Sequence, residues 1–237
     1  MDISSSTYYG DVEINQDSIG TLEDGGCACF VVADGSLSTS GGNIASDTIV
    51  KSVLDDFKNT NSVTRETLTD YYKKADDKLW AKTEESGGTA SYMASAAVLL
   101  TDGKCAINAH LGNCRMYYLS ENFLQFITPD HTLAYDDHAA GKFRFPGIRK
   151  SPNRRKVRAY LGSDPMCTPE ISEPFAIKEG DAFLLCTDGF WEQITERQVE
   201  RTLKHSKTAA EWLKKMLRIV RNSRPKHDNY SAVTVRF

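Results

Sequence analysis

No stretch of the chain approaches the roughly 20 consecutive apolar residues that a membrane-spanning helix requires. The amino terminus, Met1-Asp2-Ile3-Ser4-Ser5-Ser6, also lacks the basic segment and apolar run of a secretory signal. A cytoplasmic protein with no membrane partner is therefore expected. Charge of one sign is lacking too. With 29 Lys and Arg against 32 Asp and Glu, the formal net charge is -3, and no global cationic field exists to hold nucleic acid. Paired-cysteine motifs are missing: Cys27, Cys29, Cys105, Cys114, Cys167 and Cys186 are scattered, and Cys27 with Cys29 has no matching second pair. That spacing argues for buried core thiols over a zinc site or a disulfide framework. Repeats and low-complexity segments are absent as well. What remains, 237 residues of which 40% are hydrophobic and 26% charged, is the composition of a globular protein with one continuous core, read as a single domain over 1–237 and expected to be a monomer.

Hydrophobic patterning predicts the elements. Residues 27–33 form a short, continuously apolar run that stops at Asp34-Gly35, the pattern of a buried strand followed by a tight turn. Residues 44–57 and 65–82 carry apolar side chains three and four apart, which predicts two amphipathic helices. Strand character returns at 93–101, 104–111, 115–119 and 123–127, with short turn segments between that favour adjacent antiparallel strands. A long irregular basic stretch follows. Residues 182–186 then read as another buried strand ending near an acid, Asp188-Gly189. Residues 195–222 are predicted helical with Thr195 as the cap, and carry an apolar stripe (Trp212, Leu213, Met216, Leu217) beside Lys214, Lys215, Arg218 and Arg221. Such a face either covers a sheet or binds a membrane or a calmodulin-like partner; the sheet needs nothing beyond the pattern itself. Residues 230–237 alternate as a last strand. Without a regular strand-helix alternation, the order predicts an α+β fold, a central sandwich of two mostly antiparallel sheets flanked by helices in α-β-β-α layers.

Asp34, Asp188 and Asp228 each stand at the border of an apolar segment, and Asp17 follows Asn15-Gln16 near the start. Taken singly, each is a solvated turn residue. Brought together, such carboxylates would repel one another and rise in pKa unless cations neutralised them, and hard Mg²⁺ or Mn²⁺ ions take oxygen ligands of this kind.

The acids also sit within an ordered set of motifs. Asn15-Gln16-Asp17, Val31-Val32-Ala33-Asp34-Gly35, Gly41-Gly42, Gly88-Thr89, His110-Leu111-Gly112-Asn113-Cys114-Arg115, Thr128-Pro129-Asp130-His131, Leu161-Gly162, Leu184-Leu185-Cys186-Thr187-Asp188-Gly189-Phe190-Trp191-Glu192 and Asp228-Asn229 follow in sequence. From about residue 10 to the end this resembles the PP2C (PPM-type) metal-dependent protein serine/threonine phosphatases in their compact bacterial form. The resemblance implies a two-metal centre, two Mn²⁺ or Mg²⁺ ions, in a cleft at one edge of the sandwich. Asp34 would bridge both metals, the backbone carbonyl of Gly35 would serve the second, and Asp188 and Asp228 would hold the first. Gln16 and Asp17 match second-metal and supporting positions, and Asn15 and Asn229 support the acids. The implied reaction is hydrolysis of phosphoserine and phosphothreonine by a metal-activated water, on a phosphoprotein that is the target of a serine/threonine kinase. None of the cysteines is needed as a nucleophile.

Three departures stand out. Val12 occupies the place of an arginine that contacts substrate phosphate in family members. Ser36-Leu37-Ser38-Thr39 replaces a glycine-rich, His-containing stretch. Asn113 replaces an aspartate of an additional metal site, so a third ion is expected to be weak or absent. Between His138 and Ser163 there is no acid, while Lys142, Arg144, Arg149, Lys150, Arg154, Arg155, Lys156 and Arg158 are all present. This basic segment coincides with the family's flap, shortened here to about 134–160, and Arg149 or Arg154 is the candidate substitute for the missing arginine. Its competing readings are nucleic-acid binding through Phe143, Phe145 and Tyr160, which is disfavoured, and a solvated loop. His110 reads as a strand residue and His131 as a turn support. The alternative to catalysis is a weak or inactive phosphoprotein-binding signalling module on the same fold.

Overall fold

Alternation along β3 (Cys27–Gly35) decides the architecture. Cys29, Val31 and Ala33 face one apolar layer while Phe30 and Val32 face another, so the strand is covered on both sides. In the computed structural model, which describes residues 1–36, 41–223 and 228–237, this strand lies in a sheet of order β2-β3-β4-β5-β8. Its other members are β2 (Asp17–Asp24), β4 (Ala94–Thr101), β5 (Cys105–Leu111) and the two-residue β8 (Glu170–Ile171), with β9 (Phe175–Ala176) also pairing with β5. A second sheet runs β1-β11-β10-β6-β7, built from β1 (Asp2–Tyr8), β11 (Tyr230–Arg236), β10 (Ala182–Cys186), β6 (Arg115–Ser120) and β7 (Phe123–Ile127). Every strand pairing is antiparallel.

Between the sheets Phe30, Val32 and Leu99 meet Met116, Phe183 and Val233. Outside the first sheet lie α1 (Gly42–Thr60) and α2 (Arg65–Glu85), whose Ile49, Val53, Phe57, Tyr72 and Leu79 are buried. The second sheet is covered by α4 (Asp188–Trp191), α5 (Glu196–Lys204) and α6 (Ala209–Asn222). The expected α-β-β-α layering is what the chain forms. No helix among the described residues is long and apolar enough to cross a membrane.

Several local expectations need correction. The stretch 195–222 is two helices: Thr195 and Gln198 cap the first reciprocally, and Thr208, accepting from the Glu211 N–H, starts the second. The apolar stripe of α6 is packed against the sheet, so no free apolar face exists there for a membrane or a groove-binding partner. The basic stretch is not irregular throughout, since it contains α3 (Leu133–Ala139) and a 3₁₀ turn, Phe145–Lys150.

The two Asp-Gly pairs themselves lie within regular elements, β3 and α4. Gly35 ends β3, and a Cβ built there would lie 1.9 Å from the Gly42 carbonyl oxygen. Gly189 lies inside α4, and its Cβ would lie 2.0 Å from the Asn229 carbonyl oxygen. Close backbone approach, not turn geometry, requires glycine at both positions.

Candidate functional site

The same edge of both sheets carries the acids. Asp17 and Asp34 are directly opposed across β2 and β3, and Asp34 shares the strand face of Phe30 and Val32, so it terminates the layer between the sheets. Asp188 follows β10 as the first residue of α4, and Asp228 stands just ahead of β11. Asp34, Asp188 and Asp228 line a single cleft of about 570 Å³ together with Ser95, Asn113 and Arg155. Gly35 and Ser36 lie on the same wall, whereas Leu37, Ser38 and Thr39 fall outside the described residues.

Hydrogen bonds stitch the two sheets together behind the cleft. Asp17 Oδ2 accepts from Thr187 Oγ1 at 2.8 Å and from Ser231 Oγ at 2.7 Å. The Gln16 N–H donates to Asn229 Oδ1 at 2.9 Å, the Gly35 N–H to the Gln16 carbonyl at 3.0 Å, and Asn229 Nδ2 to the Tyr9 carbonyl at 2.8 Å. Asn15 Oδ1 receives the Asp17 N–H at 3.1 Å. Asn15 and Asn229 thus hold the backbone on which the acids are mounted.

Burial is the largest influence on these carboxyls. Asp17 is pushed up to about 7 by burial, with the Ser231 and Thr187 hydroxyls pulling the other way and Asp188 and Asp228 adding repulsion. Asp188 is likewise raised to about 7 by burial and then by Glu192, with Arg155 opposing. Asp34 is raised well above the ordinary carboxylate range by burial, then by Asp188, Asp17 and Asp228. Negative charge is thus costly here without added cations. Gln16 Oε1 is buried with no hydrogen-bond partner. The carboxylates that line the cleft form an oxygen donor set that fits Mg²⁺ or Mn²⁺ and would suit a soft metal poorly, whereas Gln16 itself is not among the described lining.

Asn113 is committed differently. Its Oδ1 accepts from Ser95 Oγ at 2.9 Å and its Nδ2 donates to Asp188 Oδ2 at 3.0 Å, so an N–H group faces the acid. Behind it, His131 pins Gly112: the Gly112 N–H donates to His131 Nδ1 at 3.2 Å, and the His131 N–H donates to the Gly112 carbonyl at 2.8 Å. His131 in turn stacks on His110, with ring centroids 4.8 Å apart.

The two arginines singled out from sequence do not line the cleft. Arg149 donates to the Trp191 carbonyl at 3.0 Å and to Glu196 at 2.6 Å, and Arg154 donates to Glu192 at 2.8 Å and to the Ser151 carbonyl at 3.2 Å. Their neighbour Arg155 is the one that reaches in. Its Nη1 lies 2.7 Å from Asp228 Oδ2 and its Nε 4.0 Å from Asp188 Oδ2. Nothing in a run of eight cations marks that one: Arg154 and Arg155 both reach Glu192, and of the two it is Arg155 whose Nη1 extends to Asp228. Val12 sits in the loop before β2 and is not part of the cleft lining. Much of the basic segment is neutralised, through Lys142–Asp137 and Arg158–Asp136 pairs within 134–160 and an Arg149–Glu196 pair with α5, and Phe143 and Phe145 pack against the second sheet's core instead of offering stacking faces.

The model of the family described as protein phosphatase 2C matches residues 9–229. A serine/threonine phosphatase stp of Listeria monocytogenes is 25% identical over 207 residues, which cover 83% of this chain and 80% of that protein. Among solved structures, the S. agalactiae serine/threonine phosphatase superposes with a TM-score of 0.85 at 19% identity, covering 100% of this chain and 99% of its own. The catalytic domain of the serine threonine protein phosphatase PstP, in complex with 2 manganese ions, superposes with a TM-score of 0.78 at 18% identity over 98% of this chain and 96% of that one.

Proposed function

The chain belongs to the protein phosphatase 2C family, and on that premise we propose that it hydrolyses phosphoserine and phosphothreonine side chains of proteins with the help of two Mn²⁺ or Mg²⁺ ions. The observation that carries this reading is the convergence of Asp34, Asp188 and Asp228, from both sheets, on one cleft. When bound, the ions supply Lewis acidity toward phosphoryl oxygens and bring a water's pKa into the neutral range. The protein's part is to hold ligands and charge in place. Asp34, the Gly35 carbonyl, Asp188 and Asp228 serve as ligands, with Gln16 offering a neutral oxygen. Asp17, fixed by two hydroxyls, adds negative charge behind them that favours bound cations, without lining the cleft. Because the sandwich fixes these groups before substrate arrives, little reorganisation is left for the reacting state.

The substrate is then a phosphoprotein produced by a serine/threonine kinase. The basic segment 134–160, whose Arg155, Lys156 and Val157 line the cleft, acts as its lid. A non-catalytic phosphoprotein-binding module is the second reading, favoured by Val12 and by the amide at Asn113. The deciding measurement is manganese-dependent release of phosphate from phosphothreonine peptides by wild type, Asp34→Ala and Asp188→Ala. Turnover in wild type that both substitutions reduce by at least about 100-fold supports catalysis. Wild-type rates equal to both variants and to background leave only the binding module.

A further inference from the structure

A phosphate monoester brings up to two negative charges to a cleft already rich in carboxylates, so the protein needs a cation placed to receive them. Arg155 and Lys156 are the cationic residues among the described lining of the cleft, and Lys156 makes no ion pair within 4.0 Å there. Arg155 is mounted quite differently. Its Nε and Nη2 donate to Glu192 Oε1 and Oε2 at 2.9 and 2.8 Å, a fork-to-fork pair that fixes the plane of the guanidinium. Glu192 itself is immobilised: its side chain is only 3% exposed, it closes α4, and its Oε1 also accepts from Arg154. Arg155 stays 41% exposed, open to the cleft from that mount.

We propose that Arg155, clamped by Glu192, is the residue that captures the phosphoryl group of the substrate above the carboxylate centre; this rests on the phosphatase reading. An arginine has five N–H donors. Three are engaged by Glu192 and Asp228. The Asp228 contact is the exchangeable one, since that carboxylate has a second calling as a metal ligand, whereas Glu192 is not one of the proposed ligands and holds Arg155 by two bonds. Nη1 and the unused hydrogen on Nη2 then present two donors side by side, the spacing that two oxygens of one phosphate accept. A single carboxylate, Glu192, faces both Arg154 and Arg155, so the clamp as a whole retains positive charge toward an incoming anion.

The test uses the full-length chain with saturating Mn²⁺. Inorganic phosphate binding is followed by calorimetry, and KM and kcat are measured on a phosphothreonine peptide. Arg155→Met is expected to raise both the phosphate Kd and the peptide KM by about 10- to 100-fold, the loss of charge-assisted hydrogen bonds. Arg155→Lys, which keeps the charge but loses the fork, should recover part of this. Glu192→Gln should weaken phosphate in the same direction but less, and Lys51→Ala, an exposed position on α1 outside the cleft lining, should match wild type. Circular dichroism melts of each variant separate misfolding from lost binding. If wild type turns over peptide while Arg155→Met keeps its phosphate Kd and KM within about 2-fold, with tighter Mn²⁺ binding, Arg155 is only a counterion of the acids and the proposal fails alone. If wild type neither binds phosphate nor turns over peptide, the phosphatase reading falls with it.

Discussion

Asn113 shows how one atom type sets the character of the centre. Its Nδ2 donates to Asp188 at 3.0 Å while Ser95 holds its Oδ1, so the amide serves a buried carboxylate that burial and Glu192 already push up to about 7. Asn113→Asp keeps the Ser95 bond and replaces the donor by a like charge. In EDTA it should lower stability by about 1–3 kcal/mol, read from urea midpoints, and Mn²⁺ should restore more stability to the variant than to wild type. Equal midpoints in EDTA would show that the amide does not support Asp188. At this scale the acids were legible because each borders a hydrophobic run, which sequence exposes directly. Arg155 was not, because the choice among Arg149, Arg154 and Arg155 depends on a carboxylate, Asp228, that folding brings to Arg155 from 73 positions away in sequence.

Elements were legible where periodicity is strong and illegible where pairing replaces it. β3, β4, β10 and the two long helices announce themselves through apolar spacing. β1, Asp2-Ile3-Ser4-Ser5-Ser6-Thr7-Tyr8, carries almost no hydrophobic signal and is a strand because β11 offers it an unbroken register from Asp2↔Arg236 to Tyr8↔Tyr230. The division between α5 and α6 was hidden for a related reason, since apolar spacing continues across a break set by capping at Thr208. The junction of β3 with α1 depends on contact too. Gly35 faces the Gly42 carbonyl so closely that a methyl group would have to displace the start of α1. Gly35→Ala should therefore destabilise the protein by on the order of 3 kcal/mol in chemical denaturation, through overpacking. Because Asp34 precedes that residue, Mn²⁺ affinity by calorimetry should fall as well. Wild-type stability in the variant would mean that the junction is soft.

For the whole molecule, protons and divalent ions compete for one set of carboxylates. Asp17 and Asp188 rise to about 7 in the folded chain from an ordinary 3.8, so each holds a proton that the unfolded chain releases. Their contribution to metal-free stability is fully present below about 3.8 and is lost as pH climbs through 7. The histidines act with the opposite sign. Burial lowers His110 to about 4 and also lowers His131, so their contribution is present above 6.5 and is lost as pH falls. His110 and His131 do not line the cleft but form with Glu170 a second group within metal-ligand reach, so the difference between Mn²⁺-loaded and EDTA-treated protein isolates the carboxylates when it is measured in a Glu170→Gln background. Below 7 the ions must displace protons, and above it they meet ready anions. The Mn²⁺-induced rise in melting temperature should thus be larger at pH 8 than at pH 6, and calorimetric binding at pH 6.5 should release protons, seen as a heat that varies with the ionisation enthalpy of the buffer. A melting shift independent of pH, together with buffer-independent heats, would mean that the acids are already ionised in the free protein and that Arg155, not protons, balances their charge.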